Sequence, residues 1–176
     1  MIAALAAWLI RRIAERRPPD FIIGRVDDPY LLRWWVIPRN RVFNIYMHMF
    51  LRDDDDRALH DHPWPWCSVL LRGAYIEHTI AAGGIHRRAL RRALSIKFSG
   101  PRRAHRIELL KVPATSTSPW LNGGRRAVAC WTLFITGPRL RSWGFHCRSG
   151  WVHWRDFTDP ATDGTTVGRG CGEEAA

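Results

Sequence analysis

The segment from Leu59 to Gly73 constrains the fold of this chain more than any other stretch of its sequence. It contains a His-Asp-His triplet at positions 60 to 62, followed by an apolar run that ends at Gly73. In an extended strand, residues two apart project from the same face, so both imidazoles of His60 and His62 can reach one metal ion. A third histidine, His105, follows a glycine-proline break. Two ligands on one strand and a third on a later strand predict a β structure that holds a metal inside it.

The rest of the chain has the sequence pattern of an all-β protein. Short apolar or alternating segments are separated by glycine, proline and serine, which is typical of strands joined by turns. The candidate strands are 21–24, 30–37, 41–50, 58–62, 66–71, 74–80, 89–98, 102–110, 127–136, 140–146 and 151–154. Many short strands without an internal repeat predict an all-β fold, a single β-barrel of the jelly-roll kind.

The N-terminal residues follow a different pattern. Apolar residues recur at helical spacing over 1–17, arginines occupy the other side, and Pro18-Pro19 ends the segment. We expect an amphipathic helix that packs on the outside of the barrel or at a dimer contact. Attachment to a membrane surface is the alternative, because Trp8 and the arginines fit it. The chain therefore divides into the helix at 1–19, the barrel at 20–157 and a tail at 158–176, which we expect to be disordered because it lacks an apolar period.

Charge and cysteine content limit the partners and the compartment. The net charge is +11, but the arginines are spread along the chain without a nucleic-acid motif, so we expect no specific nucleic-acid partner. The helix is too short to span a bilayer. The spacing of the four cysteines shows no CxxC pair and no short disulfide framework, which favours a reducing cytoplasm. We expect a small-molecule substrate, and homo-oligomerisation is left open.

The chemistry of the three histidines suits a transition metal. Three imidazole nitrogens from two strands accept iron, zinc, nickel or copper and leave coordination positions open. Strand alternation should turn Asp61 away from the ion. Glu77, on the strand after Gly73, is a candidate for a fourth ligand. The run Asp53 to Asp56 is expected to be a solvated loop, since it lacks the glycine and the ligand spacing of an EF-hand.

These segments resemble the two motifs of the cupin superfamily. The first is His-x-His followed by a glycine, and the second is Gly-Pro-x-x-x-His, which here ends at His105. The first motif usually includes a glutamate about four residues after its second histidine, and this chain has Trp66 there. The resemblance implies a cupin-type barrel whose metal is held by His60, His62 and His105 alone. The sequence, which is rich in tryptophan and arginine, is also similar to cupin-like proteins of bacteria and their phages.

Among three-histidine cupins, the chain resembles the thiol dioxygenases, with cysteine dioxygenases as the best match. The order Phe43-Asn44-Ile45, His60-Asp61-His62, Cys67, Gly73 and Glu77 follows that family with similar spacing. The resemblance implies Fe(II) at the histidines and Cys67 beside the metal. It also implies Arg33 as the residue that binds a substrate carboxylate, with Arg39 and Arg41 as alternatives. The family's catalytic tyrosine has no counterpart in 134–138.

Two functions follow from these patterns. The first is a non-heme Fe(II) oxygenase or dioxygenase that acts on a small acidic substrate, which a thiol dioxygenase likeness makes a thiol. The second is a non-catalytic cupin that binds a metal or a ligand, and the missing glutamate and tyrosine favour it.

Overall fold

A computed structural model describes residues 2–54, 58–113 and 125–172. Within these ranges the chain forms the helices α1 (Ile2–Ile13) and α2 (Trp154–Phe157) and two short 3₁₀ turns. The strands are β1 (Phe21–Gly24), β2 (Pro29–Trp35), β3 (Asn44–Phe50), β4 (Leu59–His60), β5 (Trp66–Arg72), β6 (Ala74–Ile80), β7 (His86–Arg92), β8 (Ile96–Ser99), β9 (His105–Leu109), β10 (Lys111–Pro113), β11 (Arg125–Ala127), β12 (Cys130–Thr136), β13 (Gly144–Cys147) and β14 (Gly150–His153).

The strands form two six-stranded antiparallel sheets and one small ribbon. Sheet A has the order β1-β2-β3-β12-β5-β8, and sheet B has the order β14-β13-β4-β9-β6-β7. Strands β10 and β11 pair with each other. The all-β expectation is confirmed. Among the described residues, however, no strand pairing joins sheet A to sheet B, so the predicted closure into one barrel is not formed by backbone hydrogen bonds.

A hydrophobic core occupies part of the space between the two sheets. It is built from both of them: Leu31, Phe50, Leu70 and Cys130 come from sheet A, and Tyr75, Ile107 and Leu109 come from sheet B. The regular alternation of buried and half-buried residues along β12 shows how one face of each strand is committed to this core. The chain passes from sheet A to sheet B at Gly73, whose φ of +89° favours glycine.

The segment 89–98, predicted as one strand, is divided between the two sheets. Strand β7 ends at Arg92 in sheet B, and β8 begins at Ile96 in sheet A. The turn between them places Leu94 at a φ of +73°, a conformation that a leucine rarely adopts. Because this turn contains neither glycine nor proline, the sequence carries no signal for it.

The predicted amphipathic helix is confirmed and lies on the outer face of sheet A. Ala6 and Ile10 of α1 are buried against a cluster that includes Trp34, Met47 and Leu71. The helix ends at Ile13, before the prolines. No helix within the described ranges combines the length and the apolar character needed to cross a membrane.

The C-terminal segment is ordered as far as residue 172, which corrects the prediction of a disordered tail there; 173–176 lie outside the described residues. Thr158 and Val167 form a β-bridge, and the backbone N–H of Gly24 donates to the carbonyl of Thr165 at 2.7 Å. A disulfide joins Cys147 to Cys171. The cysteine spacing did not predict this disulfide. The disulfide differs from the predicted absence of a disulfide framework, and cytoplasmic localisation stays a prediction.

Candidate metal centre

The structure brings His60, His62 and His105 together on the side of sheet B. His60 in β4 is paired with His105 in β9. His62 follows two residues after His60 in an extended segment, where its backbone N–H donates to the carbonyl of Pro101 at 3.2 Å. One nitrogen from each of the three side chains lies within 4.8 Å of the other two. The segment around Gly100-Pro101 therefore bonds to the backbone of His62 and leads into β9, which carries His105.

The three imidazoles form a nearly equilateral group. Their ring centroids are 5.2, 5.0 and 5.1 Å apart, and the Nε2 atoms of His62 and His105 are separated by 2.9 Å. Burial lowers the pKa of His60 to about 4 and holds that of His62 well below its usual value. Both imidazoles are therefore neutral at pH 7 and keep a lone pair for a metal.

The carboxylate of Glu77 contacts His105 on the side of its ring that faces away from the cluster. Its Oε1 lies 3.1 Å from Nδ1 of His105, and the carboxylate also pairs with Lys97 and, at 3.0 Å, with Arg91. A proton on Nδ1 leaves the lone pair of Nε2 directed at the cluster. Glu77 therefore orients a candidate ligand through its second nitrogen, and the candidacy of Glu77 as a fourth ligand is corrected. Carboxylate-histidine pairs of this kind are common around protein metal sites.

Asp54 lies near His60 and is bound to β9. Its Oδ2 accepts a hydrogen bond from the backbone N–H of Ile107 at 2.8 Å and lies 3.8 Å from Nδ1 of His60. Asp53 likewise accepts from the backbone N–H of Leu109 at 2.7 Å. The expectation of a solvated acidic loop is therefore wrong for these two aspartates, whose carboxylates tie the loop to β9. Residues 55–57 lie outside the described residues.

Asp61 points away from the histidines, as strand alternation predicts. Its buried carboxylate accepts hydrogen bonds from the backbone N–H of Gly144 at 2.9 Å and from Nε1 of Trp151 at 3.1 Å. It also pairs with Arg141 at 2.7 Å. Asp61 thus fixes the His-Asp-His segment to β13 and β14, so that His60 and His62 project to the opposite side.

The cluster opens into a cavity of about 320 Å³ between the sheets. Aromatic side chains form much of its wall; they include Phe21, Phe50, Phe134, Trp64, Trp143 and Trp154. The C-terminal segment contributes Thr158 and residues 163–167 to the same wall. The sequence interpretation missed this contribution, because nothing in the tail's composition indicates that it folds over a cavity.

Arg33 lines the cavity from sheet A. Its Nε donates a hydrogen bond to Nε2 of His48 at 2.9 Å, and its guanidinium lies 5.0 Å from the ring centroid of Tyr46. Burial lowers the pKa of Arg33 to about 10, which leaves it charged at pH 7. No carboxylate pairs with Arg33 among the described residues. A half-buried, unpaired cation on a cavity wall is a candidate binding group for an anion.

Cys67 does not line this cavity. On β5, Trp66 and Ser68 face the cavity, and Cys67 between them is registered with Ile135 and Phe98 and faces away. The position beside the metal that the resemblance implied for Cys67 is therefore corrected. The neighbouring Trp66 packs against the cluster instead, with its ring centroid 4.9 Å from that of His105.

No protein-family model matches this sequence, and no curated protein matches it either. Among solved structures, an Fe(II)-HppE complex with an alternative substrate is 14% identical, with a TM-score of 0.46 over 68% of this chain and 56% of the other. Hydroxypropylphosphonic acid epoxidase from S. wedmorenis is 16% identical, with a TM-score of 0.44 over 69% and 56%. The formate complex of Lactobacillus farciminis oxalate decarboxylase is 14% identical, with a TM-score of 0.44 over 72% and 32%. This chain thus spans little more than half of the first two proteins.

Proposed function

We propose that this chain is a metal-binding, cupin-like protein and a non-heme Fe(II) oxygenase, most simply a dioxygenase, for a small acidic substrate. One observation carries the proposal: three buried histidines converge in a cavity whose opposite wall holds the unpaired cation Arg33.

The donor set fits a divalent transition metal. Two nitrogens bound to one ion at about 2.1 Å and at right angles are about 3 Å apart, and the Nε2 atoms of His62 and His105 are 2.9 Å apart. With Nδ1 of His105 engaged by Glu77, its Nε2 faces His62 as an acceptor. His60, His62 and His105 would hold the metal. Fe(II) is the proposed ion, and zinc, nickel and copper suit the same donors.

A bound Fe(II) would supply open coordination positions at which substrate and dioxygen are activated. The chain's own residues do the rest. Arg33 holds the acidic group of the substrate, which removes the entropic cost of orienting it. The aromatic walls exclude water, which strengthens the attraction between Arg33 and an anion.

Because Cys67 faces away from the cavity, one of the features shared with the thiol dioxygenases is lost. Whether the substrate carries a thiol group is therefore decided by the assay below. The same observation favours a second function, a cupin-like module that binds a metal or an acid without turning it over.

Metal analysis and oxygen uptake test these two functions. Purified protein should contain about one equivalent of metal, which His60→Ala should lose. His86→Ala should retain it, because His86 is exposed and is not among the residues that line the cavity. Unchanged metal content in His60→Ala would overturn the site. After anaerobic loading with Fe(II), oxygen uptake with a panel of acids, including thiol acids, supports the oxygenase. Metal binding without oxygen uptake supports the binding module.

A further inference from the structure

A row of polar side chains crosses the inner face of sheet A. Arg33 on β2 is registered with His48 on β3, and His48 is registered with Thr132 on β12. Residues in register on neighbouring antiparallel strands project from the same face. All three side chains line the cavity that contains the histidine cluster. The row therefore faces the same space as the candidate metal centre but belongs to the other sheet.

Each member of the row presents a hydrogen-bond donor without a partner among the described residues. Nε of Arg33 donates to Nε2 of His48, so the neutral His48 carries its proton on Nδ1. This Nδ1–H and the Nη groups of Arg33 donate to no other described residue. Thr132 is 1% exposed, and its Oγ1 has no hydrogen-bond partner. Unused donors on three residues of one row match the acceptor oxygens of an oxyanion.

Unpaired buried donors are costly, so native proteins usually give them a partner. A bound ligand supplies one to the row, whose three residues line the cavity. Because the row presents donors, such a ligand must be rich in acceptor oxygens.

Phe134 contacts both the row and the histidine cluster. The centroid of its ring lies 5.3 Å from that of His48 and 5.6 Å from that of His62. A ligand that is held by the row and reaches the histidines therefore lies beside Phe134. The 320 Å³ of the cavity correspond to about ten water molecules at roughly 30 Å³ each.

We propose that Arg33, His48 and Thr132 bind the oxyanion of an elongated acid, whose apolar body extends past Phe134 to the histidine cluster. A carboxylate, phosphonate or sulfonate has the required acceptors. His48 and Thr132 are thereby assigned as specificity residues in addition to Arg33. The proposal rests on the proposed function only in treating the histidine cluster as the reacting end.

Binding of matched acids and amides tests this proposal on the full chain. Octanoate and 3-phenylpropionate are titrated against octanamide, 3-phenylpropanamide and acetate, with calorimetry or tryptophan fluorescence as the readout. The longer acids should bind at least tenfold more tightly than their amides and than acetate. Arg33→Met should weaken acid binding at least tenfold, and Thr132→Val, which keeps the shape of the side chain, should weaken it severalfold. Arg87→Met removes an exposed arginine and should leave binding unchanged.

Equal binding of acids and amides would overturn the proposal, and so would acetate binding as tightly as octanoate. Unchanged binding in Thr132→Val would show that the row is not a unit. Should Arg33→Met fail to fold, Arg33→Lys and Thr132→Val decide the outcome. Every titration is repeated on metal-free protein. If metal-free protein selects acids but wild type and His60→Ala have the same metal content, only the proposed function is refuted. If His60→Ala loses the metal but wild type does not select acids over amides, only this inference is refuted.

Discussion

Glu77→Gln should weaken metal binding and also destabilise the fold. Glu77 is 1% exposed and contacts His105, Lys97 and Arg91. Removing a carboxylate that orients a ligand histidine typically lowers metal affinity by 10- to 100-fold. The amide also leaves the charge of Lys97 buried without its partner, and breaking a buried ion pair costs about 3–5 kcal/mol.

The pKa of Glu77 gives a second route to the same magnitude. Burial alone would raise this pKa, but the hydrogen bond with His105 and the ion pair with Lys97 outweigh burial and lower it from 4.5 to about 2. At about 1.4 kcal/mol per unit of pKa, this difference corresponds to about 3 kcal/mol of stability. Because the folded-state pKa is the lower one, the contribution is present above pH 4.5 and is lost as the pH falls towards 2.

Urea unfolding of metal-free protein measures the stability, and competition with a chelator measures the metal affinity. The free energy of unfolding of wild-type protein should exceed that of Glu77→Gln by about 3 kcal/mol at pH 7. This difference should disappear as the pH falls from 4.5 to 2. Glu108→Gln is the matched control, since Glu108 pairs with His78 and Arg88 on the outer face of the same sheet. It should cost less than about 1 kcal/mol and leave metal affinity unchanged. The reasoning fails if the two variants behave alike.

Two further changes test how the surroundings of the centre are held in place. Removing the disulfide with Cys171→Ser should lower the free energy of unfolding by about 3 kcal/mol through loop entropy, because the bond spans 24 residues of sequence. The variant should also be cleaved more readily by protease within 158–172. Cys67→Ser is the control, and equal digestion of the two variants contradicts the expectation. Asp61→Ala should destabilise the fold by about 2–5 kcal/mol, because the backbone N–H of Gly144 and the indole N–H of Trp151 lose their buried acceptor. Urea unfolding measures this loss, and a loss below about 1 kcal/mol would count against it.

Local pattern was sufficient to predict which side chains of the His-Asp-His segment project together. Alternation along an extended chain separates Asp61 from His60 and His62, and the buried partners of Asp61 on β13 and β14 bear this out. Alternation also places Cys67 away from the cavity once Trp66 is known to face it. The phase of β5 relative to the cavity is fixed by packing between sheets, which a local pattern does not contain.

Contacts between distant segments account for the other differences. The sequence makes Glu77 a candidate fourth ligand because it lies on the strand after Gly73. Its actual position beside Nδ1 of His105 depends on the pairing of β6 with β9. The C-terminal segment has no apolar period, yet its backbone bonds and the Cys147–Cys171 disulfide hold it against the body of the protein. Such a segment is stabilised by partners far away in sequence, so its own composition does not predict its order.

The division of the cavity between the two sheets explains why the two parts of the site differ in how readily they can be found. Sheet B carries His60 and His105 as direct neighbours, so their convergence follows from one strand pairing. Arg33 and Thr132 are brought together only through His48 on the strand between them, and they face the histidines only because the sheets pack face to face. A metal cluster therefore leaves a compact motif in the sequence, whereas the residues proposed to select the substrate are scattered over three strands and leave none.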